Sequence, residues 1–184
     1  MLFRSKQIIQ NYQLVSDFHK QKKDPSTIST DKPKSQNSNQ TLTIYCDGAC
    51  QGNPGKAGSG IAIYKDSTKP TLLYGDYIAN GTNNIAELNA LHKALLISKD
   101  NTKSIIYSDS KYSIDCITKW AYSWKKNNWQ KKGGEIKNLE LIKEIHSLYE
   151  TLKNSITIKH IKGHSGVEGN ELADRKSTRL NSSH

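Results

Sequence analysis

From Thr41 onward, apolar residues recur in short runs broken by Gly, Pro and Asn. TLTIYC (41–46), SGIAIYK (59–65) and TLLYGDYIA (71–79) are rich in β-branched and aromatic residues, which predicts three strands. The connection KDSTKP contains Lys69-Pro70 and reads as a hairpin loop. NNIAELNALHKALLISK then places Ile85, Leu88, Leu91 and Leu95 on one side of a helix. SIIYS (104–108) is a fourth strand, and residues 110 to 130 read as helix in one or two pieces. IKNLELIKEIHSLYETL predicts an amphipathic helix through Ile136, Leu139, Ile142, Ile145 and Leu152. ITIKHI is a fifth strand, and EGNELAD opens a last helix. Three consecutive strands suit an antiparallel meander, and strands alternating with helices suit parallel pairing. The expected fold class is therefore α/β, a mixed five-stranded sheet flanked by helices.

The pattern is different at both ends of the chain. Residues 1–20 suit one short helix, with Ile8, Tyr12 and Val15 on a common face, and have no apolar core of signal-peptide length. Residues 21–40 contain Pro25 and Pro33 and almost nothing apolar, the composition of a flexible polar linker. The globular domain is expected over 41–174. Beyond it the chain reads RKSTRLNSSH, in which only Leu180 is apolar. That composition does not predict a core-facing helix, so 175–184 is expected to be an atypical, non-native tail.

Composition narrows the partners. The 184-residue chain carries 27 Lys and Arg against 17 Asp and Glu, a formal net charge of +10. Such an excess attracts polyanions, chiefly nucleic acid or an anionic membrane surface. The chain has three cysteines, Cys46, Cys50 and Cys116, too few and too odd a set for a disulfide framework, which fits a reducing, cytoplasmic setting. No apolar run is long enough to span a bilayer, so no membrane partner is expected.

The candidate chemistry lies in acids at the ends of elements. Asp47 follows the first strand and Asp109 the fourth. In open α/β sheets, sites form outside the carboxyl ends of parallel strands where the chain order reverses. Two carboxylates about 4 Å apart repel by a few kcal/mol near a protein surface, and a cation holds such a pair together. Hard oxygen ligands select Mg²⁺ or Mn²⁺. Each acid also has a structural alternative. Asp47-Gly48 is a turn dipeptide, Asp109 can cap the next helix, and Glu87 completes a capping box with Asn84. Asp174 is a candidate surface helix residue. Two rival sites are weaker. The glycines from Gly48 to Gly60 lead into a strand, where a dinucleotide loop leads into a helix. A zinc set of Cys46, Cys50, His160 and His164 is opposed by strand alternation, which points Cys46 and Asp47 to opposite faces.

The surroundings of these acids resemble type 1 ribonuclease H, the family that cleaves RNA in RNA–DNA hybrids. The resemblance runs from about Thr41 to Asp174. CDGACQGNPG carries Asp47, TNNIAEL carries Glu87, YSDSKY carries Asp109, and KGHSGVEGNELAD carries His164 and Asp174. The resemblance implies a ribonuclease H-like fold and two-metal-ion hydrolysis of the RNA strand, with Mg²⁺ (or Mn²⁺) held by Asp47, Glu87, Asp109 and Asp174. The products would bear 5′-phosphate and 3′-hydroxyl ends. It gives His164, in a Gly-flanked loop, a proton-shuttling or product-releasing role, suited to an imidazole near neutral pH.

Residues 111–132 hold six lysines, one acid and all three tryptophans of the chain. Lys125, Lys126, Lys131 and Lys132 suit phosphate neutralisation and Trp120 suits packing on sugar or base, and the stretch resembles the basic protrusion of bacterial members. The alternative is plain helix packing, since Trp120 and Trp124 stand at i, i+4. Asn53, Thr82, Asn83 and Asn84 offer short polar side chains for minor-groove contacts with 2′-hydroxyls and phosphates. The expected partner is an RNA–DNA hybrid bound by a monomer. The second class of function is a module that grips hybrids without cutting them.

Overall fold

The structure is a computed structural model and describes residues 41–182 apart from 66, 67 and 102. The expected N-terminal helix and linker lie outside the described residues. Five strands, β1 (Thr41–Gly52), β2 (Gly55–Lys65), β3 (Leu72–Gly81), β4 (Lys103–Ser108) and β5 (Ile156–His160), form one sheet in the order β3-β2-β1-β4-β5. β1, β2 and β3 pair antiparallel, whereas β1–β4 and β4–β5 pair parallel. The mixed sheet expected from the element order is the one observed.

β1 is longer than its apolar run. It continues past Asp47 to Gly52 because Asp47 through Gly52 still pair with Gly60 through Gly55 of β2. What ends near Asp47 is the parallel ladder to β4, whose last pair is Cys46 and Ser108. β4 and β5 likewise end together at Ser108 and His160. Asp47 and Asp109 therefore each stand one residue beyond the same ladder rung.

Alternation along β1 sorts its side chains between two layers. Leu42, Ile44 and Cys46 point into the main core. Here α1 (Asn83–Ser98) lies against β1, and α4 (Leu139–Leu152) and the helical run between β4 and α4 supply the rest of the same core cluster. Leu88, Leu91, Leu95, Ile106, Ile117, Ile142 and Ile145 fill this core and are fully buried. The other face carries Tyr45 and Asp47 and receives α5 (Glu168–Ser182).

Three sequence expectations need correction here. The helix expected from Ile136 begins at Leu139, because Asn138 adopts a left-handed conformation (φ 60°) that Asn tolerates. Ile136 is still buried, as a loop residue before the helix. The stretch after β4 is one run in three parts: α2 (Lys111–Asp115), a π-helical turn (Cys116–Trp120) and α3 (Ala121–Lys126).

The third correction concerns the tail, which is helical to Ser182. The surface beneath it is made of glycine, so large apolar side chains are not needed. A Cβ on Gly60 would overlap the Ala173 carbonyl oxygen. Farther along, Leu180 and the methylenes of Lys176 lie over Gly75. Ser177 is fully buried. A polar tail with one Leu, small residues at the contact and long aliphatic stems can cover such a surface.

Candidate active site

Each acid is placed by an element whose local role falls to another residue. The N-cap of α1 is Thr82, whose Oγ1 accepts from the Ile85 amide at 3.3 Å. Glu87 is therefore not a capping residue; it sits in the second turn, 8% exposed. The N-cap of α2 is Ser110, which accepts from the Ser113 amide at 3.3 Å, so Asp109 is free of that task. Asp47 lies within a continuing strand and not at a turn.

One ligand oxygen from each of Asp47, Glu87 and Asp109 falls in a group whose members lie within 4.8 Å of one another. Gly48 lets α1 approach β1 at this point, since a Cβ there would overlap the Glu87 amide nitrogen. The Gly48 amide in turn donates to the Glu87 carboxylate. Burial, with the Asp47 and Asp109 charges next in weight, pushes Glu87 up to about 9 from an ordinary 4.5. Burial likewise raises Asp47 to about 7, against the lowering effect of the Ser177 hydrogen bond. Ser177 Oγ lies 2.7 Å from Asp47 Oδ2 and 2.8 Å from the Asp174 carbonyl oxygen, so its single hydroxyl hydrogen serves one of two acceptors.

Asp174 joins a second group, with His164 and Glu171, whose ligand atoms also lie within 4.8 Å of one another. His164 Nδ1 is 3.6 Å from Asp174 Oδ2, and Thr178 Oγ1 donates to Asp174 Oδ1 at 3.2 Å. The His164 ring is 81% exposed on a residue with φ 50°. All five expected catalytic residues, with Asn83, Asn84 and Tyr112, line one open cleft of about 580 Å³.

The acid cluster fits a hard divalent cation. It offers carboxylate oxygens only, two of its three acids are buried, and Glu87 Oε2 is buried with no hydrogen-bond partner among the described residues. The zinc set is not assembled: Cys46 is fully buried in the main core, and neither His160 nor His164 shares a metal-ligand group with a cysteine among the described residues.

The expected nucleic-acid residues split by exposure. Asn53 Oδ1 accepts from the Asn83 amide at 3.4 Å, which ties the β1–β2 turn to the start of α1. Lys125, Lys126, Lys131 and Lys132 are exposed. Trp120 is 40% exposed, whereas Trp124 and Trp129 pack against the core. Sequence reasoning missed Asn170 and Ser177, which touch Asp109 and Asp47 from α5. The i, i+4 relation of Asn170 to Asp174 was a visible signal for the first. Nothing in a polar tail marked the second.

A mixed sheet in the order β3-β2-β1-β4-β5, with acids gathered where its parallel strands end, defines a ribonuclease H-like fold. The RNase H family model matches residues 39–181. Ribonuclease H of Rickettsia akari (strain Hartford) is 40% identical over 139 residues, covering 74% of this chain and 88% of that protein. Ribonuclease HI of Rickettsia conorii (strain ATCC VR-613 / Malish 7) is 40% identical over 136 residues, covering 73% and 86%. The solution structure of the PFV RNase H domain is similar with a TM-score of 0.65 at 28% identity, covering 77% of this chain and 94% of that one. The chain belongs to the ribonuclease H family, type 1.

Proposed function

We propose that this protein hydrolyses the RNA strand of RNA–DNA hybrids by two-metal-ion chemistry and leaves 5′-phosphate and 3′-hydroxyl ends. The reading rests on family membership together with one observation: three carboxylates crowded within 4.8 Å, of which Glu87 keeps a buried oxygen without a partner. Crowded buried carboxylates hold protons when nothing else neutralises them, which is the origin of the raised Asp47 and Glu87 values. A divalent cation replaces those protons, and all-oxygen ligands favour Mg²⁺, with Mn²⁺ as a substitute. Asp47, Glu87 and Asp109 would hold it, with Asp174, which lines the same cleft, as the fourth ligand. The chemistry such ions supply is an acidified water nucleophile and neutralised charge at the leaving 3′ oxygen.

The chain's own groups do the rest. His164, exposed and beside Asp174, is placed to pass a proton between the cleft and solvent. Asn83 and Asn84 line the cleft, with Asn53 and the cap residue Thr82 adjoining them, and these amides and hydroxyl can read 2′-hydroxyls and hold phosphates. Trp120 and the exposed lysines of 125–132 offer a ring and positive charge to the partner strand. We assign the protein to the cytoplasm as a monomer. The three free thiols agree with a reducing compartment, and among the described residues no helix is long and apolar enough to cross a membrane.

Incubation of an RNA–DNA hybrid with the protein and Mg²⁺, with and without EDTA, tests the reading. RNA fragments with 5′-phosphates are expected in Mg²⁺ alone, and none from RNA–RNA or DNA–DNA controls. Asp109→Asn is expected to lower the rate by about two to three orders of magnitude, the scale on which removing charge stabilisation acts. Intact RNA in both Mg²⁺ and Mn²⁺ would leave the non-cleaving hybrid-binding module as the better description. Undiminished cutting by Asp109→Asn would refute the ligand assignment.

A further inference from the structure

Asp109 is gripped by the segment that returns from β5 to α5. His160 Nε2, at the end of β5, lies 3.1 Å from the Asp109 carbonyl oxygen, so the ring in its Nε2–H tautomer donates to the main chain there. Gly163 leaves room for the carboxylate, since a Cβ on it would come within 2.6 Å of Asp109 Oδ2. Asn170, in the first turn of α5, donates from Nδ2 to the same Oδ2 at 3.4 Å.

Asn170 is only 2% exposed, and its own Oδ1 is buried without a hydrogen-bond partner among the described residues. A buried acceptor left unpaired costs about 1–3 kcal/mol. An apolar side chain at this place in the helix would avoid that cost. The amide is therefore explained by what it does for the site: one end donates to the carboxylate, and the other faces no protein donor. Mg²⁺ keeps several of its waters when protein carboxylates bind it, and such waters donate to neighbouring acceptors.

We infer that Asn170 is a positioning residue for Asp109, an inference resting on the reading of Asp109 as a metal ligand. Its Nδ2–H holds Asp109 Oδ2 and so sets the orientation of the carboxylate that would meet a cation. Its unpartnered Oδ1 takes a hydrogen bond from water when the cation is bound. The carboxylate is thereby set by α5 as well as by β4, so the helix that carries Asp174 also orients Asp109.

An NMR titration with Mg²⁺ in the absence of hybrid tests this on the full chain. In the unaltered protein, the side-chain amide signals of Asn170 are expected to shift with the same dissociation constant as the backbone amides of Asp47 and Asp109. In Asn170→Ala, that dissociation constant is expected to rise about ten-fold or more, the scale of second-layer changes at metal sites. Steady-state kinetics should show kcat falling by a similar factor with KM for the hybrid unchanged. A folded Asn170→Ala that binds Mg²⁺ within two-fold of the unaltered protein overturns the inference while the metal reading stands. Should Asn170→Ala not fold, the unaltered protein decides, and Asn170 amide signals that stay still at saturation overturn the inference. Absence of any Mg²⁺-dependent shift at Asp47 and Asp109 removes the metal reading and this inference with it.

Discussion

At the residue scale, the site is a balance between burial and charge. Glu87 and Asp47 have folded-state values of about 9 and about 7, above the ordinary 4.5 and 3.8. Without metal, the folded protein therefore holds protons that the unfolded chain has released. The stability these groups contribute is fully present below the ordinary carboxylate range and is lost as pH rises through about 7 and then about 9. Thermal melts in EDTA should accordingly give midpoints that fall from acidic to alkaline pH. Added Mg²⁺ should raise the midpoint most at the alkaline end, where it displaces no protons. Glu87→Gln keeps the shape and the Gly48 hydrogen bond but removes the charge. It is expected to stabilise the metal-free protein by about 1–3 kcal/mol near neutral to alkaline pH while abolishing cleavage. An unchanged or lower EDTA melting midpoint for that variant would show that the acid is not strained in the fold.

At the scale of elements, the site depends on close approach of α1 and α5 to β1 and β2. Gly60 faces the backbone of α5 with no room for a side chain. Gly60→Val should force the helix off the sheet, cost about 3 kcal/mol or more, and carry Asp174, Asn170 and Ser177 away from Asp47 and Asp109. Urea denaturation gives the stability loss, and the Mg²⁺ affinity of the surviving folded protein gives the displacement. A core truncation distant from the cleft, Ile142→Ala, should cost about 2–5 kcal/mol with kcat of the folded protein retained. The contrast between these variants separates helix placement from general stability. The helix boundaries show the same dependence on context. The apolar period through Ile136 correctly marked a buried residue, but the left-handed Asn138 starts the helix later.

At the scale of the whole molecule, a net charge of +10 coexists with an acidic cleft. Lys125 and Lys126 end the helical run that follows β4, and Lys131 and Lys132 lie in the connection after it; all four are exposed. Hybrid affinity should fall steeply with added salt. If Lys126 contacts a phosphate as proposed, Lys126→Ala should reduce the slope of log affinity against log salt by about one and leave the Mg²⁺ dissociation constant unchanged. Binding measured by fluorescence anisotropy across a salt series checks this. A slope equal to that of the unaltered protein would remove Lys126 from the hybrid interface. Trp120→Ala should weaken binding with little effect on the slope, because a ring contributes stacking and not counterion release.

The sequence by itself determined the element order, the sheet class and the four acid-bearing motifs, because apolar period and short-range motifs are properties of consecutive residues. TNNIAEL and YSDSKY could not show on their own whether Glu87 and Asp109 serve as caps or as ligands. The tertiary structure removed the cap role from both by giving it to Thr82 and Ser110. It also decided that a tail with one apolar residue packs as helix, since the glycine surface it covers comes from β2 and β3, about a hundred residues away in sequence. Proximity of Asn170 to Asp109, and of Ser177 to Asp47, arises only when strand ends and a distant helix meet. Chain-local pattern fixes which residues can form an element, and packing across the chain fixes which of their side chains share a site.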